Sequence, residues 1–303
     1  MASRFLALLS AAPLLLWGCQ NASVTAPNPE QVRLSTFATQ SIPLDTALGE
    51  QLAPNEPAAI GAIENAILTS LRKSYANQPL MTRDVHAKHH GCPKAFFEVQ
   101  NTQLPLALRV GVFAQNGKVY PSWTRFSNGA GKPKPDKEGD VRGFALKLMG
   151  VPGPKLLAKE AHEQTQDFLF INTNTFFIDS LKDYQRFIEA TNAGALSLAG
   201  FAITHPRVVY RIYKIFSQKY GNPLDIDFYS STPYKLGPAA IKFRAKPCAP
   251  PPTPIPANPG PHYLREALSQ SLQKGSACFQ MMVQVQTNPR EMPIEDSTQA
   301  WDE

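Results

Sequence analysis

The feature that most constrains this chain is a series of short apolar segments at residues 95–99, 106–113, 122–126, 144–149 and 168–171, separated by Gly, Pro, Asn and Asp. Segments of that length place alternate side chains on opposite faces, and their backbone groups need partners, so they pair with one another. A run of them joined by turn residues gives a barrel or a sandwich. Further strand-like segments stand at 229–234, 240–245 and 279–286. Ile60, Ile63, Ile67 and Leu71 recur at helical spacing and predict an amphipathic helix over 57–74. Helices are also predicted at 181–193, 206–219 and 263–274. Eight prolines between 247 and 261 predict an extended loop, because proline has no amide hydrogen for a helix or a ladder. The expected class is α+β, an antiparallel β-barrel or a sandwich with external helices.

A chain of 303 residues, 43% hydrophobic and 18% charged, can bury a full core, so disorder is excluded as its general state. Its net charge of +6 is spread without a Lys/Arg block or an aromatic-interleaved basic stripe, which argues against nucleic acid as a partner. The N-terminus reads as an export signal. Arg4 supplies the positive charge, Phe5 to Trp17 an apolar stretch too short to span a bilayer, and Leu16-Trp17-Gly18-Cys19 resembles a lipoprotein processing box with Cys19 as the lipidated residue. Trp17 stands where that box usually has a small residue, and a plain cleaved signal is the alternative.

The expected organisation is a signal peptide over 1–19, a flexible tether over 20–43 rich in Ser, Thr, Pro and Gln, and one folded domain over 44–303. The expected location is exported, periplasmic or held at a membrane through a lipid anchor only. Cys92, Cys248 and Cys278 remain, and in an oxidising compartment Cys248 with Cys278 is the expected disulfide across the proline-rich loop.

Arg83-Asp84-Val85-His86-Ala87-Lys88 puts an arginine, a valine and a histidine within one pocket's reach just ahead of the first strand. Alone it is a weak signal, since a single histidine beside a strand is commonly structural. His89, His90 and Cys92 lack the second half of a zinc signature. Further on, Thr124-Arg125-Phe126-Ser127-Asn128 is followed, after a loop rich in Gly, Lys and Pro, by Asp140-Val141-Arg142-Gly143-Phe144-Ala145-Leu146-Lys147.

These segments resemble motifs of the haem catalase family. Val85-His86-Ala87-Lys88 is similar to its VHAKG segment, and the other two look like its RFS and RGFAxK motifs. Asn172-Thr173-Asn174-Thr175-Phe176-Phe177-Ile178 resembles the stretch with the distal asparagine and paired phenylalanines. Segments at 231–243, 263–286 and 292–301 follow in family order, so the resemblance runs co-linearly from about residue 80 to 301. It implies a catalase-like antiparallel barrel that binds haem b and decomposes hydrogen peroxide. His86 would be the distal acid–base and Asn172, with Asn174 as the alternative, would orient the peroxide. Ser127 would fix the His86 tautomer, Arg83 and Arg125 would pair with the haem propionates, and Val85, Phe176 and Phe177 would pack at the channel and the porphyrin.

The family's proximal ligand is a tyrosinate in an R-x3-Y pattern beyond the segment resembled by 292–301. None of this chain's tyrosines sits in that pattern; Arg207 and Arg211 flank Tyr210 at the wrong spacing. Two accounts stay open, a shortened catalase-like chain whose barrel is incomplete at the C-terminus, or a chain using another ligand. The alternative functions are turnover of organic or fatty-acid hydroperoxides and a non-catalytic haem-binding lipoprotein.

Overall fold

The centre of the fold is a three-strand meander, β3 (Val119–Asn128), β4 (Arg142–Met149) and β5 (Thr165–Ile171). Its register aligns Phe126 with Phe144 and Phe144 with Phe170, and Trp123 with Lys147 and Lys147 with Asp167. Directly paired residues share a face, so one side of the meander is aromatic and the other is mixed. The aromatic side is the core. Phe126 and Phe144 stack with ring centroids 5.0 Å apart, and Phe170, Phe228 and Phe279 complete the cluster. Each such ring removed from water contributes about 2 to 3 kcal/mol. On the other side Trp123 and Leu169 are exposed and Lys147 pairs with Asp167 at 2.8 Å.

This computed structural model describes residues 43–78, 83–155, 160–248 and 252–302. The signal segment with Cys19 and nearly all of the expected tether lie outside the described residues. The meander belongs to one nine-stranded antiparallel sheet. β1 (His89–Gly91) and β2 (Lys94–Glu98) both pair with β3, and β5 pairs with β6 (Phe228–Tyr229). β8 (Ala239–Pro247) pairs with β6, with β7 (Tyr234–Leu236) and with β9 (Phe279–Val285).

The expected barrel is therefore corrected to an open sheet: among the described residues β9 pairs with β8 alone, and β1 and β2 with β3 alone. Helix α5 (Tyr263–Lys274) lies over β1 instead, with Arg265 Nη2 donating to His89 O at 2.9 Å and Leu268 packed against Gly91. One β1 carbonyl is thus satisfied by a side chain rather than by a further strand.

The other helices gather around a second apolar cluster of Ile178, Ala190, Phe201 and Val208. α1 (Glu56–Tyr75) lies against α2 (Leu181–Ala193), and Asn192 Nδ2 donates to Ala66 O at 2.9 Å. α2 starts at Ser180, whose hydroxyl accepts from Asp183 N at 3.1 Å, and stops at Gly194. α3 (Ala195–Thr204) and α4 (Pro206–Phe216) follow.

Two predicted strands are corrected. Residues 106–113 form two single 3₁₀ turns, because Gly111 has φ +55°, outside the extended region, and Asn101 Nδ2 donates to Phe113 O. The segment at 229–234 is broken into β6 and β7 at Ser231, which has φ +60°. Cys248 and Cys278 form the expected disulfide, with Cα atoms 5.3 Å apart across 30 residues.

Candidate functional site

The segment preceding β1 crosses the mixed face of the meander at the end where Ser127, Gly143 and Ile171 align. His86 sits there with φ +57°, a conformation that a non-glycine residue holds only against some strain. Three contacts fix it. His86 N donates to Gly129 O at 2.9 Å, His86 O accepts from Arg125 Nη2 at 2.6 Å, and His86 Nδ1 lies 3.1 Å from Ser127 Oγ. The ring rests on the backbone of Gly143: a Cβ there would lie 2.5 Å from His86 Nδ1 and 2.8 Å from Ser127 Oγ. The glycine is thus required by the close approach of the imidazole.

Burial pushes the His86 pKa below the ordinary imidazole value, and the Arg125 guanidinium, with Arg83 behind it, pushes the same way against a pull from Asp140. The imidazole is therefore neutral at neutral pH and can accept a proton. Beside it Val85 is 57% exposed, and on the mixed sheet face Leu169 is 64% exposed, with Ala145 aligned between Arg125 and Leu169. Arg83 is exposed as well.

Asn172 is placed differently. It follows Ile171 and so points to the other side of the sheet, where it is 5% exposed. Its Oδ1 accepts from Arg142 N at 2.7 Å, and its Nδ2 donates to Gln218 Oε1 at 3.1 Å and to Tyr220 Oη at 3.2 Å. No hydrogen bond joins it to His86. Asn174 is exposed on the following turn. Phe176 and Phe177 are half-buried with ring centroids 4.4 Å apart, and Phe177 packs toward Phe187 and the helical cluster. Through Tyr184, whose phenol is held up by burial and by the Asp84 carboxylate, this aromatic group reaches the chain two residues before His86. The structure thus brings His86, Ser127 and Arg125 together, with Val85 and Arg83 exposed on the segment that carries His86, while Phe176 and Phe177 pack against Tyr184 and Phe187.

Sequence reasoning did not mark Gly143 as the floor under His86, although it lies inside a quoted motif. It also did not mark the buried polar cluster next to the site. Lys88 Nζ bonds Asp136 Oδ1 at 2.6 Å, His90 Nε2 lies 2.9 Å from Asn128 Oδ1, and Arg142 bonds Asn128 and the carbonyl of Asp136. Asp136, Asp140 and Arg142 are all 1% exposed or less. No local pattern separates these residues from solvated ones, since their partners are distant in sequence. Among the described residues no group of three or more His, Cys, Asp or Glu side chains is placed to hold a metal ion, and no helix is long and apolar enough to cross a membrane.

Comparison with known proteins places part of this chain in a family context. Residues 48–197 match the catalase family model. That span contains every residue of the site described above. The solved structures similar to this chain include catalase A from Saccharomyces cerevisiae, at 21% identity and TM-score 0.56, covering 79% of this chain and 52% of that one. A fungal catalase matches at 19% identity and TM-score 0.55, covering 76% of this chain and 48% of its own. No curated protein sequence matches the chain. The fold is a mixed α+β, catalase-like one with a large antiparallel sheet, and the chain spans about half the length of the solved catalases it resembles.

Proposed function

We propose that this chain binds haem b against the open sheet face beside His86 and decomposes hydrogen peroxide there, as part of a response to oxidative stress. The observation that carries the proposal is the neutral His86 imidazole, set on Gly143 with Nδ1 3.1 Å from Ser127 Oγ, with Arg125 bonded to its backbone and Val85 and Arg83 exposed on the same segment. That surface suits a flat apolar macrocycle with an anionic edge. Val85, Ala145 and Leu169 would cover the ring, and Arg83 and Arg125 would receive the carboxylates, for which a guanidinium fork is well matched. When bound, haem supplies the redox-active iron.

The chain's own residues supply proton handling. With Nδ1 donating to Ser127 Oγ, His86 presents Nε2 as an acceptor that takes a proton from the peroxide and returns it to the departing oxygen. Arg125 and Gly129 hold the backbone of His86 in place while this happens. Asn172 is held on the other side of the sheet, its Oδ1 accepting from Arg142 N and its Nδ2 donating to Gln218 and Tyr220.

Export is part of the same proposal. The Cys248–Cys278 disulfide suits an oxidising compartment, and the Arg4 to Cys19 segment suits a signal with a lipid anchor at Cys19.

The test is haem absorbance and oxygen release from hydrogen peroxide by the purified protein supplied with haem. A Soret band is expected, and His86→Ala is expected to keep the band while losing on the order of a hundredfold in turnover. Absence of the band, or unchanged turnover in His86→Ala, would overturn the reading. Consumption of a fatty-acid hydroperoxide without oxygen release from hydrogen peroxide would move the substrate class to organic hydroperoxides.

A further inference from the structure

Apart from the His86 site, the structure has a cleft of about 420 Å³ between the Ala87–His89 segment, the loop at Pro133–Pro135 and the first turn of α5. That volume lies within the range of small-molecule sites, roughly 300 to 1,000 Å³. Every ionisable side chain lining it is of the basic type: Lys88, His89, Lys134, His262 and Arg265. No carboxylate is among the lining residues. Asp136 balances Lys88 from behind at 2.6 Å, whereas Lys134 is 3.8 Å from its nearest carboxylate, Asp140, and spends one donor on Gly139 O. Arg265 spends one donor on His89 O and is otherwise exposed. A guanidinium has five N–H donors, so most of its capacity is available to the cleft.

His89, whose Nδ1 has no hydrogen-bond partner, forms part of the cleft wall. Pro261 and His262, just ahead of α5, form the wall on that side, while the helix N-terminus itself is capped by Asp136, which accepts from Leu264 N at 3.1 Å. Three prolines, Pro133, Pro135 and Pro261, make the remaining wall apolar and free of amide donors.

We propose that this cleft binds a small organic anion, a carboxylate or phosphate monoester carried on an apolar body, with Arg265 and Lys134 pairing the charge, His89 lining the wall beside it, and the prolines covering the body. The site needs neither haem nor His86, so its fate is independent of the peroxide reading.

The probes are benzoate and phenyl phosphate, titrated calorimetrically into the full chain at low salt, with benzamide and inorganic phosphate alongside. Saturable binding of benzoate or phenyl phosphate is expected, at least tenfold tighter than benzamide or inorganic phosphate and lowered at least tenfold in the double variant Arg265→Gln/Lys134→Gln. In the unaltered chain, which needs no variant to fold, the His89 imidazole NMR signal is expected to shift on saturation. Equal binding of benzamide would overturn the role of charge, and equal binding of inorganic phosphate the role of the apolar wall. A His89 signal that does not move, or a folded double variant that binds as tightly as the parent, would overturn the site itself.

Discussion

At the scale of single residues the site rests on how closely His86 approaches its neighbours. The left-handed backbone costs on the order of 1 kcal/mol for a residue with a side chain, and the bonds to Gly129 O and from Arg125 offset it. Gly143→Ala would place a methyl group 2.5 Å from His86 Nδ1, so the imidazole must leave Ser127. Turnover is expected to fall at least tenfold and stability by about 1 to 3 kcal/mol, measured by peroxide kinetics and thermal melting. A pH profile tests the electrostatics separately. Proton acceptance requires the neutral ring, and the His86 pKa is lowered, so turnover should persist as pH falls below the ordinary imidazole value and be lost only on passing the depressed one. Arg125 contributes to that depression, so Arg125→Gln should move the acid limb to higher pH. An unchanged limb would mean that the guanidinium does not act on His86.

Elements were legible where a local pattern sufficed. The spacing of Ile60, Ile63, Ile67 and Leu71 placed α1, and the predicted 263–274 and 181–193 coincide with α5 and α2. α3 escaped because Ala195–Thr204 is apolar on nearly every side and carries no amphipathic stripe. β1 is three residues long and offers no periodicity to read. The 106–113 segment is apolar enough for a strand but becomes turns, because Gly111 takes a left-handed conformation and Asn101 holds the carbonyl of Phe113. The end of β8 is tied to the start of β9 by Cys248–Cys278. Closing a loop of this length is worth about 3 to 4 kcal/mol by chain entropy. The pair Cys248→Ser/Cys278→Ser, or reduction of the parent, should cost an amount of that order in chemical denaturation; a loss within error would show that the proline-rich loop is already held by other contacts.

For the whole molecule the decisive feature is the buried polar cluster that joins distant parts of the chain. Asp136 accepts from Lys88 Nζ at 2.6 Å and from Leu264 N at 3.1 Å, so one carboxylate ties the segment after His86 to the start of α5. Asp136→Ala would leave Lys88 buried without its counter-charge, and a loss of about 3 to 5 kcal/mol is expected in denaturant midpoint and melting temperature. His90 in the same cluster has its pKa pushed down to about 4 by burial, with Asp136 opposing. The folded state then takes up this proton less readily than the unfolded chain, whose imidazole titrates near 6.5. Stability from this group is complete above that value and is lost as pH falls from about 6.5 to about 4. His90→Gln should flatten that part of a stability–pH curve, provided the variant retains its fold.

The sequence by itself determined the alternating strands of the meander, the main amphipathic helices, the cysteine pair and the motifs that carry His86, Ser127 and Arg125, because each is written in neighbouring residues or in their order. The tertiary structure decided the rest. It left the sheet open with α5 over β1, laid the His86 ring on Gly143, and turned Asn172 toward Arg142 and Tyr220. These outcomes depend on which distant backbone atom comes within about 3 Å of a given side chain. Contacts of that range are fixed by strand register and helix docking, and no local pattern of residues encodes them.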